Sequence, residues 1–137
     1  MIKAKKNKME VVMNKKTFTP EGVVAVGPYS PVVEANGFIF FSGQIPMDYA
    51  EGKIVEGDIQ AQTEQCLKNL SGAIKAAKVT SDDIVKTTIY LTDINDYAVV
   101  NKIYGDFFKA PYPARTAVAV IALPLGVKVE IEAIAQR

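Results

Sequence analysis

Apolar and polar positions recur along this chain with two different periods, and the changes of period divide it into elements. Ile59, Thr63, Cys66, Leu67, Leu70, Ile74 and Ala77 recur at helical spacing behind Asp58, a suitable N-cap. This predicts an amphipathic helix of about five turns, ending near Lys78. Residues 32–35 and 38–45 read as strands joined at Asn36-Gly37, a dipeptide suited to a two-residue hairpin turn. Phe38, Phe40 and Ser42 point one way and Ile39, Phe41 and Gly43 the other, so the second strand is expected to be covered on both sides. Ser42-Gly43 leaves open backbone at its end. Residues 48–57 read as a polar surface loop, and the β-branched and aromatic run 84–92 as a central strand. A second helix follows a cap at Asp93 or Asn95, with Tyr97, Val100, Tyr104 and Phe107 or Phe108 at core spacing.

The last two strands carry the most suggestive charges. Arg115, Ala117, Ala119 and Ile121 alternate with Thr116, Val118 and Val120. Arg115 thus shares its face with two alanines, which leave room beside a guanidinium. After the Pro124-Leu125-Gly126 break, Val129, Ile131 and Ala133 oppose Lys128, Glu130 and Glu132. These two segments are expected to form a hairpin carrying Arg115 and Glu130. The element order predicts an α+β fold, with two helices on one face of a mixed sheet. Its other face, half apolar and uncovered, favours a homo-oligomer packed sheet to sheet.

Length and composition narrow the chemistry. At 137 residues the chain suits one domain, and 16 basic against 15 acidic residues leave a net charge of +1. That balance points away from a nucleic-acid partner. No apolar run approaches a membrane span, and the basic N-terminus lacks the apolar segment of a secretory signal, so a cytoplasmic protein is expected. There is no histidine, and Cys66 is the only cysteine. A zinc site, a Ser-His-Asp triad and a Cys-His pair therefore cannot come from this chain. Proton transfer is left to carboxylate, tyrosine, lysine, backbone, water or the substrate.

Four features have more than one reading. The lysine-rich stretch 1–16 is either a nucleic-acid arm or a poorly ordered extension, with residues 10–19 a candidate edge strand. Tyr29, in Gly27-Pro28-Tyr29-Ser30-Pro31, is either a packing plug or the wall of a site. Cys66 falls in an apolar stripe and reads as core rather than as a reactive thiol. Asn101 lies close to the buried face of its helix, where an unpaired amide would cost about 1–3 kcal/mol. It needs partners, as a structural tie or as part of a site.

Five segments in order, Gly27-Pro28-Tyr29, residues 41–46, Val85-Lys86-Thr87-Thr88, Pro113-Ala114-Arg115 and residues 129–135, resemble the RidA (YjgF-type) family of enamine/imine deaminases. The resemblance spans residues 17–137, leaving 1–16 as an extension. It implies a chorismate-mutase-like fold, a homotrimeric barrel with sites between subunits, and neither cofactor nor metal. It also implies hydrolysis of 2-imino acids, derived from 2-aminoacrylate and 2-aminocrotonate, to 2-oxo acids and ammonium. By position, Arg115 would clamp the substrate carboxylate and Glu130 would position water. Tyr29, Ser42, Gly43, Asn101, Thr116 and Ala117 would complete the pocket. Ala117 stands where many relatives have cysteine, so only its backbone could serve. Ala119 and Ala122 replace charged residues common in the family, and Glu132 rivals Glu130 on the same face. Two other readings are a non-catalytic trimer that binds small carboxylates and, more weakly, an RNA-acting translation inhibitor.

Overall fold

The computed structural model describes residues 14–137. Most of the lysine-rich extension 1–16, and residues 10–13 of the candidate edge strand at 10–19, lie outside the described residues. What is described of that strand is β1 (Lys16–Phe18), which does occupy a sheet edge. It is followed by β2 (Val32–Ala35) and β3 (Phe38–Gln44), antiparallel across Asn36-Gly37. Both turn residues have positive φ, 53° and 80°, as the tight hairpin demands. The loop expected at 48–57 instead contains a small ribbon, β4 (Met47–Asp48) against β5 (Lys53–Ile54).

Helix α1 (Ile59–Ala76) starts where Asp58 accepts a hydrogen bond from the Ala61 amide at 3.0 Å. Its stripe of Cys66, Leu67, Leu70, Ala73 and Ile74 is buried against the sheet. Strand β6 (Ile84–Leu91) leads through a short 3-10 turn, begun by the Asp93 side chain, into α2 (Tyr97–Phe107). Strands β7 (Ala114–Ala119) and β8 (Val129–Gln136) complete a six-stranded mixed sheet of order β1-β2-β3-β8-β6-β7.

The expected hairpin of β7 and β8 does not form. Strand β6 lies between them, parallel to β7 and antiparallel to β8. The α2 crossover carries the chain from the end of β6 back to the start of a parallel neighbour, and β8 takes the other edge of β6. The two-residue alternation within each strand is as expected. Val129, Ile131, Ala133 and Ala135 are buried beneath the helices, and Glu130, Glu132 and Ile134 alternate with them on the half-buried face. Phe38, Phe40 and Val118 stay 38–46% exposed in the single chain.

Cys66 is fully buried, its Sγ 3.7 Å from the Val129 carbonyl, and burial pushes the thiol pKa well up. The native protein should therefore resist a thiol-reactive chromophore at pH 8, and one equivalent should react on denaturation. Fast labelling of native protein would contradict this burial.

Candidate active site

Arg115 and Glu130 stand on opposite faces of the sheet. Arg115 pairs in register with Thr87, a fully buried residue whose hydroxyl meets the Tyr104 hydroxyl of α2 at 2.7 Å. Glu130 pairs with Tyr90, three residues further along the same strand and so on the other face. The candidate residues therefore fall into two groups that one chain does not bring together.

The first group surrounds the guanidinium. Arg115 donates from Nη1 to Asn101 Oδ1 at 2.8 Å and from Nη2 to the Tyr97 hydroxyl at 2.7 Å. Its Cζ lies 4.9 Å from the Tyr104 ring centroid and 5.6 Å from that of Tyr97. Three α2 side chains thus hold the cation, and a cation over aromatic faces is stabilised by their quadrupoles. The remaining N–H groups can still present a planar fork to an anion. Hollows open on both sides of it: Ile94, Tyr97 and Ala117 line one, and Asn101, Gly105 and Tyr112 the other. Asn101 is exposed rather than close to the buried face, and the partner it needs is Arg115. Thr116 points to the other side of β7, where its hydroxyl accepts from Lys86 Nζ at 3.2 Å.

The second group gathers around Glu130 on the opposite face. A hollow of about 440 Å³ is lined by Tyr29, Ser42, Gly43 and Glu130, with Val24, Val26, Ile45, Met47 and Leu125 among its apolar walls. Tyr29 is half-exposed and lines this hollow. The Ser42 hydroxyl donates to the Ser30 carbonyl at 2.7 Å, tying strand β3 to the Tyr29 loop. Gly43 matters for space rather than for φ, since a Cβ there would collide with the Glu130 carboxylate and push it aside. Leu125 holds a left-handed backbone, φ 57°, at the rim, a costly conformation for a residue with Cβ.

Among the described residues no hydrogen bond is made to the Glu130 carboxylate, and its rival is committed elsewhere: Glu132 accepts from the Tyr90 hydroxyl at 2.5 Å. Burial, then the neighbouring Glu132 charge, raises the Glu130 carboxyl above the usual carboxylate range. It is an unpartnered acid facing an apolar hollow. Among the described residues no three His, Cys, Asp or Glu side chains cluster with metal-binding spacing. No described helix is long and apolar enough to cross a membrane.

Sequence periodicity assigns Tyr97 to the core, yet its ring is 38% exposed and its hydroxyl supports Arg115. Its position four residues before Asn101, on the same helix face, is the signal that could have revealed this role. Most of the apolar walls of the Glu130 hollow, Val24, Val26 and Leu125, come from loops and turns without periodicity, and no sequence signal identifies them.

Comparison with known proteins gives a consistent result. The family model described as endoribonuclease L-PSP matches residues 19–137. Human 2-iminobutanoate/2-iminopropanoate deaminase is 47% identical over 111 residues, 81% of either chain. A Rid-family protein of unknown function, YyfA from Yersinia pestis, superposes with a TM-score of 0.87 at 46% identity, covering 90% of this chain and 99% of its own. E. coli TdcF, solved with bound serine, superposes at 0.84 with 40% identity, covering 89% and 98%.

Gly43→Ala should fold but force the Glu130 side chain out of its place against β3. A crystal structure of the variant would show this, and an unmoved Glu130 would contradict the close-approach reading.

Proposed function

The chain belongs to the endoribonuclease L-PSP family, and from that premise we propose that it is an enamine/imine deaminase hydrolysing small 2-imino acids to 2-oxo acids and ammonium. The observation that carries this reading is the chemistry of the two groups. One is a preorganised guanidinium and the other an unpartnered carboxyl in an apolar hollow. A 2-imino acid offers what each can use, a planar carboxylate for the first and a carbon needing water for the second. The activity in the names of relatives such as the human protein supports the same assignment.

Arg115 would grip the substrate carboxylate through its free N–H groups, held in orientation by Asn101 and Tyr97. Glu130 would hold a water against the imine carbon and take its proton as the C–O bond forms. With the substrate nitrogen arriving protonated, the attack would leave a neutral carbinolamine. The protonated carboxyl would return its proton to that nitrogen, and the C–N bond would break to release ammonia as the hydroxyl proton passes back to Glu130. Ammonia would carry that proton away as ammonium, leaving the 2-oxo acid. One water is consumed and no electrons are exchanged. A carboxyl with raised proton affinity suits both halves of this sequence. Tyr29, Ser42 and Gly43 would shape the pocket on the Glu130 side, and Asn101 and Ala117 on the Arg115 side, with Thr116 supporting β7 from its opposite face.

Because the two groups lie on opposite faces, neither half suffices alone. We take the active form to be a homotrimer, its open sheet faces packed together, in which Arg115 of one copy meets Glu130 of another. The exposed Phe38, Phe40 and Val118 supply apolar area for such a contact.

Imines generated in place by an amino-acid oxidase, with their lifetime read by a trapping reagent, test this. Wild type should shorten the lifetime. Arg115→Ala and Arg115→Lys should each lose at least about 100-fold in kcat/KM, the latter because an ammonium lacks the planar fork. Glu130→Gln should lose about 100-fold or more in kcat while still binding a 2-oxo acid. A folded wild type inactive on every imine would leave a carboxylate-binding trimer as the reading. A variant series with unchanged rates would remove these residues from the site.

A further inference from the structure

Glu132 and Tyr90 have no role in the reaction as described, yet their contact is the shortest side-chain hydrogen bond among the described residues, 2.5 Å from hydroxyl to carboxylate. This is the length of a charge-assisted O–H···O⁻ bond. Glu132 lies two residues beyond Glu130 on the same face of β8, and Tyr90 stands directly opposite Glu130 in the β6–β8 register. Tyr90 therefore reaches diagonally past Glu130 to hold the neighbouring carboxylate. From this geometry we infer that Tyr90 and Glu132 are positioning residues for Glu130. Tyr90 fixes a second negative charge beside the working carboxyl and keeps it from turning into the hollow. The inference rests on the deaminase reading and deepens it.

The groups around Glu130 allow this. On its own strand it has Glu132, and Lys128 lies just before the strand begins. Strand β6 presents Tyr90 and Lys86, and the Lys86 ammonium donates to the Thr87 carbonyl and to the hydroxyls of Thr88 and Thr116. Strand β3 contributes the uncharged Ser42 and Gly43, the surrounding loops Tyr29 and Tyr49, and the helix side the buried thiol of Cys66. Within one chain the only charge that raises Glu130 is Glu132. The Arg115 guanidinium that the proposed trimer brings from another copy acts in the opposite direction and is the same in wild type and in Glu132→Gln. A neighbouring anion favours the protonated carboxyl, so Glu132 raises the pH at which Glu130 releases its proton. If the ionised Glu130 is the base, the acidic limb of kcat/KM follows that same pH. Removing the Glu132 charge must then move the limb to lower pH.

Glu132→Gln is the informative variant, because its amide oxygen can still accept from Tyr90 and leaves the sheet intact. In ¹³C-glutamate-labelled full-length protein, the Glu130 carboxyl signal, identified by its loss in Glu130→Gln, is followed across pH alongside imine hydrolysis. Glu132→Gln should lower the Glu130 titration midpoint and move the acidic limb down by the same amount. Tyr90→Phe should lower kcat about five-fold, the equivalent of one net hydrogen bond, with KM unchanged. An unmoved Glu130 midpoint in folded Glu132→Gln overturns the inference whatever the activity. A midpoint that moves while the limb stays, or while wild type hydrolyses no imine, keeps the electrostatic coupling and overturns the assignment of Glu130 as the base.

Discussion

The placement of β6 between β7 and β8 decides what this protein can do. Side chains alternate along a strand, so the registers Thr87 with Arg115 and Tyr90 with Glu130 send the cation and the carboxyl to opposite sides of one sheet. The cation comes to rest under α2, where Asn101, Tyr97 and Tyr104 meet it. The carboxyl comes to rest on the open face, against the backbone of Gly43, where a Cβ would collide with it. A one-residue slip of β8 alone would turn Glu130 and Glu132 into the core beneath the helices, and a slip of β7 alone would turn Arg115 away from α2.

The two halves are built differently because they face different demands. A guanidinium that recognises a carboxylate gains from being held rigidly before the ligand arrives, since little rotamer entropy is then lost on binding. Its three partners all come from one helix, and α2 is anchored through the buried hydroxyl pair of Tyr104 and Thr87. A carboxyl that exchanges protons gains from the opposite treatment, with no hydrogen-bond donor to lower its proton affinity and apolar walls to raise it. Glu130 has this environment, and the hydroxyl that could have stabilised its anion, Tyr90, is spent on Glu132.

Local pattern made much of this legible. Helical spacing located α1 and its cap, Asn36-Gly37 located the first hairpin, and alternation along β8 separated Glu130 from the buried Val129, Ile131 and Ala133. Strand order was not legible, because a short Pro/Gly-punctuated link between two strands suits a hairpin equally well as a step over an intervening strand. Only the pairing of β6 with both, a long-range choice, decides between them. The same gap hid the separation of Arg115 from Glu130. It also hid the work of Tyr97, whose spacing matches the core but which lies at the exposed start of α2. The Glu130 hollow was invisible for another reason: loops converge there, and loop conformation carries no period.

The central claim is that a working site is assembled from the Arg115 half of one copy and the Glu130 half of another. Subunit complementation tests it most directly. Arg115→Ala and Glu130→Gln proteins, each inactive alone, are unfolded together, refolded as a mixture and assayed for imine hydrolysis. Mixed trimers should contain some sites with both native halves, and activity should return to roughly a quarter of wild type at equal mixing. No recovery, with mixed trimers demonstrated by mass, would contradict a site shared between copies.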